Sequence, residues 1–206
     1  MRRIFSVLAA AFLLAAPANA SVLSVRVLDA AGRPVRDAVV TLYPSGQSRA
    51  PRPVGRTVIS QKNLAFHPFV TIVPVGADVS FPNLDDTKHH VYSFSPAKKF
   101  ELKLFAKDQS RTVHFDKPGV VALGCNIHDQ MSAFIVVTNS AWTVRTNVQG
   151  MAVFNDAPDA AGRVTVWHPY LRAPANMVQQ SVGAGQHGLG FRVALRPPPP
   201  AMVMDY

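Results

Sequence analysis

Apolar and polar residues alternate in short runs along most of this chain, and no 3.6-residue periodicity is sustained between residues 57 and 138. Residues 22–28 (VLSVRVL) and 38–43 (AVVTLY) read as two strands around the turn cluster Asp29-Ala30-Ala31-Gly32-Arg33-Pro34. Residues 44–56, rich in Pro, Gly, Ser and Arg, read as a connecting loop. Strand candidates then follow at 57–60, 69–73, 78–82, 90–94, 100–105, 110–115, 119–123 and 133–138, with turn signals between them. Such closely spaced short strands predict an all-β chain built as a sandwich or small barrel. After Asn139 the segments 142–146, 151–154, 163–168 and 188–195 are further strand candidates. The tail, 196–206, carries four successive prolines and reads as extended.

Composition agrees with this pattern. The 206 residues are 48% hydrophobic, enough for a real core, and 17 prolines with 12 glycines favour turns over long helices. The first twenty residues stand apart: Arg2 and Arg3, an apolar run from Ile4 to Ala16, then Ala18-Asn19-Ala20. This is the layout of a cleaved secretory signal peptide, and the run is short for a membrane span. It predicts export to a periplasmic location, with no transmembrane segment in the mature chain. Without Arg2 and Arg3 the 21 basic residues become 19 against 12 acidic ones, a formal net charge of +7. A basic surface suits docking to acidic surfaces. No RNA signature, zinc-finger spacing or basic helix points to nucleic acid.

Cys125 is the only cysteine, so it forms no internal disulfide. It opens Cys125-Asn126-Ile127-His128-Asp129-Gln130-Met131, a C-x2-H-x2-M spacing between two strand candidates. A thiolate, two imidazoles and a weak axial thioether are the donors of copper electron-transfer sites. The second imidazole must come from elsewhere, and His89-His90 follows an Asn/Asp turn at the start of a strand candidate. Strand alternation sends these two side chains to opposite faces, which favours His89 and keeps His90 as the alternative. A free Cys is often no more than a small buried hydrophobe, but the His and Met three and six positions on argue for coordination. His67 and His114 read as surface residues, His168 as structural, and Asp85 and Asp86 as turn-formers. No G-x-S-x-G, H-E-x-x-H or P-loop pattern is present, and a Cys125–His128 nucleophile fits the tight Met-bearing loop less well than a metal does. The reading is therefore of a non-enzyme.

These residues resemble a known family. Asn83, the turn after it, His89-x-Val91 and the C-x2-H-x2-M loop look like the cupredoxins of the plastocyanin and amicyanin kind, including those labelled methylamine utilisation proteins. Lys99-Phe100-Glu101-Leu102, Phe115-Asp116-Lys117-Pro118-Gly119 and Gly124-Cys125-Asn126-Ile127-His128-Asp129 add to the likeness. The resemblance implies a Greek-key β-sandwich with one type 1 copper held by His89, Cys125, His128 and Met131. Relatives commonly read His-Asn-Val at the first ligand, where the Asn ties the ligand loops together; here His90 takes its place. The flanking segments, 24–43 and 142–168, resemble carboxypeptidase-regulatory-like, transthyretin-type sandwiches. The expected organisation is a signal peptide at 1–20, an outer sandwich in two parts at 21–56 and 139–195, an inserted cupredoxin domain at 57–138, and a tail at 196–206. The expected function is single-electron transfer with a redox partner protein, with a link to amine oxidation implied by the family labels. A docking patch around His128 would include Phe134 and Pro82. Copper storage or delivery, and a metal-free envelope-binding module, are the alternatives.

Overall fold

Period-two burial marks several of the strands, most plainly the segments 98–105 and 132–138. The computed structural model describes residues 20–198, which form seventeen strands and a single 3-10 turn at Pro174–Asn176. The signal-peptide reading falls on residues outside this range except Ala20, and the tail from 199 onward also lies outside it. Among the described residues no helix is long and apolar enough to cross a membrane.

The chain opens with β1 (Ala20–Asp29) and β2 (Val39–Pro44). Short strands follow: β3 (Thr57–Val58), β4 (Ser60–Lys62), β5 (Ala65–His67), β6 (Val70–Pro74) and β7 (Ala77–Pro82). Next come β8 (His89–Ser95), β9 (Lys98–Phe105), β10 (Ser110–Phe115), β11 (Gly119–Gly124) and β12 (Ser132–Thr138). The last five are β13 (Thr143–Arg145), β14 (Met151–Pro158), β15 (Gly162–Trp167), β16 (Met177–Val182) and β17 (Gly188–Val193).

The middle strands make a Greek-key β-sandwich. One sheet runs β6-β12-β11-β8-β9, the other β10-β7-β3, and β4 and β5 form a separate hairpin. Ile59, Val79, Phe81, Val91, Phe105, Phe115, Val121 and Ile135 fill the space between the sheets. The flanking strands make a second, smaller sandwich, β14-β1-β17 against β13-β2-β15-β16, around Val25, Val40, Leu42, Trp142, Phe154, Val166 and Phe191. Gly150 makes the turn before β14 with φ 70°, and a Cβ there would lie 2.4 Å from the Val27 carbonyl oxygen, so only glycine fits.

β12 is apolar on both faces, and the packing explains why. Ala133, Ile135 and Val137 point into the core of this first sandwich. Phe134 and Val136 point the other way, and with Phe69, Val70 and Ile72 they pack on Val39 and Trp167 of the flanking sandwich. Phe134 meets Phe69 edge-on at 5.6 Å and Trp167 at 5.7 Å. Arg145 adds a polar tie, donating to the Val70 carbonyl at 2.7 Å and lying 3.3 Å from the Asp37 carboxylate.

Several boundaries differ from the sequence pattern. The candidate at 57–60 divides into β3 and β4, and the one at 142–146 shortens to β13. Most of the hairpin β4–β5, beyond Ser60, and the strand β16 have no counterpart in the apolar pattern. β4 is Ser-Gln-Lys and β16 is largely exposed Gln and Ser, so neither carries an alternating apolar face.

Candidate metal centre

β8 begins at the site. Alternation along it buries His89, Val91 and Ser93, while Tyr92 and Phe94 turn outward and Phe94 is 78% exposed. His89 is fully buried and its Nδ1 lies 3.9 Å from the Cys125 sulfur. His90 faces away, and its Nε2 donates to Glu101 on β9 at 2.9 Å. The structure thus brings His89, and not His90, to the cysteine.

Cys125 follows the last residue of β11 and is 2% exposed. Its loop turns back toward β12, closed by a hydrogen bond from the Met131 N–H to the His128 carbonyl at 2.9 Å. That turn returns His128 over the cysteine, with Nδ1 3.7 Å from Sγ. One donor atom from each of His89, Cys125 and His128 lies within 4.8 Å of the others, and the two rings are 5.0 Å apart between centroids. Met131, 2% exposed, is buried in the same apolar cluster as Cys125. Burial lowers the His128 pKa below its ordinary 6.5, the nearby His89 adds to this, and the Asp85 charge opposes it. A neutral imidazole is the form that binds a metal.

Donors bonded to one ion at about 2.0–2.3 Å in a plane stand roughly 3.5–4 Å from one another. The sulfur-to-nitrogen separations of 3.7 and 3.9 Å match that spacing. One thiolate with two imidazoles, walled off by strands and a thioether-bearing loop, is chemically suited to copper.

Asn83 and Asp85 shape the approach to His89. Asn83 is fully buried; its Nδ2 donates to the Thr87 and Phe105 carbonyls, and its Oδ1 accepts from the Asp85 N–H at 2.9 Å. The Asp85 carboxylate accepts from His89 Nε2 at 2.8 Å and from the N–H groups of Asn63 and Leu64. Burial alone would raise its pKa, but the hydrogen bonds from Leu64, His89 and Asn63 outweigh that and hold it below 3.8. From the sequence alone Asp85 reads only as a turn-former. The signal that could have found it is a carboxylate four residues before a ligand histidine, since metal-binding imidazoles commonly donate their second N–H to an acid.

Gly124 is held by a close approach. It pairs with Tyr92 across the strands, and a Cβ at this position would lie 2.7 Å from the tyrosine ring. Phe134 is not on a free surface beside His128, because it is packed between Phe69 and Trp167; Ile127, 46% exposed, is the large apolar side chain next to His128. His67, His114 and His187 are exposed, and His168 is buried with its Nδ1 accepting from the Tyr170 N–H.

No protein-family model matches the chain, and no curated protein matches it. Solved structures do. A reduced Cu(I) amicyanin variant aligns at 22% identity over 48% of this chain and 98% of its own, with a TM-score of 0.38. A purple cupredoxin from Nitrosopumilus maritimus aligns at 20% identity over 41% of this chain and 100% of its own, with a TM-score of 0.36. The copper-containing nitrite reductase from Thermus scotoductus SA-01 aligns at 22% identity over 48% of this chain, with a TM-score of 0.39, and the match spans only 25% of that enzyme.

Proposed function

We propose that this protein is a type 1 copper protein that carries single electrons between redox partners. The observation that supports it is the convergence of His89 Nδ1, Cys125 Sγ and His128 Nδ1 on a common point from two separate segments. Bound copper would supply a one-electron couple with strong Cys125 sulfur character. His89, Cys125 and His128 would hold it, with Met131 as a further, weaker thioether donor. The chain's own task is to keep those side chains still. His89 is fixed at the first position of β8, and Cys125 sits where β11 leaves the sheet. Donors that hold one geometry in both oxidation states minimise the rearrangement accompanying electron transfer.

Half-buried His128, with exposed Ile127 beside it, is the edge through which a partner would exchange electrons. Contacts of this kind are small and transient. The basic surface suits an acidic partner. Residues 57–138 are read as a cupredoxin module inserted in a carboxypeptidase-regulatory-like sandwich, exported to the periplasm by residues 1–20. A role beside amine oxidation is the pathway that the resemblance to methylamine utilisation proteins suggests. Deep burial of His89 and Cys125 favours a retained metal over one exchanged between carriers, and so electron transfer over copper delivery.

Loading the purified protein with Cu(II) tests this reading. The expected result is one copper per chain with intense visible thiolate-to-copper absorption, lost in Cys125→Ser. A copper-challenged, folded protein that stays colourless, or a Cys125→Ser variant that keeps the colour, would reject it.

A further inference from the structure

The His89 ring has two nitrogens with different neighbours. Nδ1 faces Cys125, and Nε2 lies 2.8 Å from the Asp85 carboxylate. All three groups bonded to that carboxylate are N–H donors: the His89 ring, Asn63 at 2.6 Å and Leu64 at 3.0 Å. A carboxylate ringed by donors accepts from each, so His89 carries its proton on Nε2 and presents a bare lone pair at Nδ1.

The support behind Asp85 is itself built. Asn63 and Leu64 form the tip of the β4–β5 hairpin, and both have φ of 54°, which turns their N–H groups toward the same acid. The Leu84 N–H donates to the Gln61 carbonyl at 2.8 Å, and Asn83 Oδ1 takes the Asp85 N–H, so the residues before Asp85 are tied to the hairpin and to their own turn. The residue after the first ligand, His90, does none of this, because it is turned to Glu101.

We propose that Asp85, braced by the β4–β5 hairpin, is the positioning residue that fixes the His89 tautomer and strengthens it as a donor. The inference rests on the copper reading above for the second part only. A carboxylate behind a ligand imidazole raises its basicity and tunes the metal, and such partners commonly change affinity by about 10–100-fold. A stronger donor with a negative charge behind it favours Cu(II) over Cu(I).

Two measurements test this. In metal-free wild-type protein, nitrogen NMR of the histidine rings should show His89 protonated at Nε2 and bare at Nδ1, with the Nε2 proton protected from exchange. In Asp85→Asn, which keeps an acceptor oxygen but removes the charge, Cu(II) affinity should fall about tenfold relative to Cu(I), a rise of about 59 mV in the one-electron potential. A proton found on Nδ1 in the wild type overturns the tautomer assignment, and an unchanged potential in a folded Asp85→Asn overturns the tuning role. A wild type that refuses copper would reject the copper reading, while the NMR result would still decide the tautomer.

Discussion

His89 and His90 are the same chemistry one step apart, and the strand decides between them. β8 turns His89 to the interior beside Cys125 and His90 to Glu101 on the outer face. His89→Ala should therefore abolish the thiolate-to-copper band, whereas His90→Gln should keep one copper per chain with the band intact; copper titration followed by absorbance reads both. This choice was legible in the sequence, because alternation along a strand needs no structure. The partner of His89 was not, since Asp85 also satisfies every requirement of a turn residue and only the folded chain shows its carboxylate bonded to His89 Nε2 and to the hairpin N–H groups. His168 carries a separate residue-scale prediction. Burial is the main reason its pKa falls below 6.5, with the Asp37 charge and the Arg36 carbonyl opposing it. The unfolded chain then takes up this proton first, so stability is full above about pH 6.5 and declines as pH falls below it. Urea unfolding at pH 7.5 and 5.5 should show a loss at the lower pH that is smaller in His168→Gln; an equal loss in both proteins would show that His168 does not drive it.

Elements with a clear apolar face were readable, and those held by backbone or polar contacts were not. β12 showed itself by an apolar run, although the reason both its faces are apolar emerged only when the flanking sandwich was seen packed on Phe134 and Val136. The β4–β5 hairpin has three-residue arms and buries Gln61 where a hydrophobe would have marked it. β16 is a mostly exposed strand at the end of its sheet, so burial left no imprint on its sequence. At the turn before β14, Gly150→Ala would press a methyl against the Val27 carbonyl with φ of 70°. This should cost about 1–3 kcal/mol, as overpacking and backbone strain typically do. Denaturant unfolding should show that loss while the copper spectrum stays unchanged, because the turn belongs to the other sandwich.

The whole molecule is two sandwiches sharing an aromatic seam of Phe69, Phe134, Trp167 and Tyr170, crossed by the Arg145 hydrogen bond to Val70. The sequence resembled two families and so suggested two cores, but nothing in either pattern specified the seam, which depends on residues distant in sequence. The chain has two tryptophans, Trp142 inside the flanking core and Trp167 on the seam. In the wild type, fluorescence and the copper band should be lost together on unfolding. In Trp167→Ala, which empties a buried aromatic site at a typical cost of about 3–5 kcal/mol, Trp142 fluorescence and the copper band should report separate transitions. Coincident transitions in that variant would mean that the seam does not couple the two halves.

In the proposed copper site one sulfur and two imidazole nitrogens share a single ion. Copper-edge X-ray absorption on the loaded wild-type protein reads those neighbours directly. One short sulfur and two nitrogen scatterers around one copper per chain are expected; neighbours of oxygen and nitrogen alone, with no sulfur, would rule this site out.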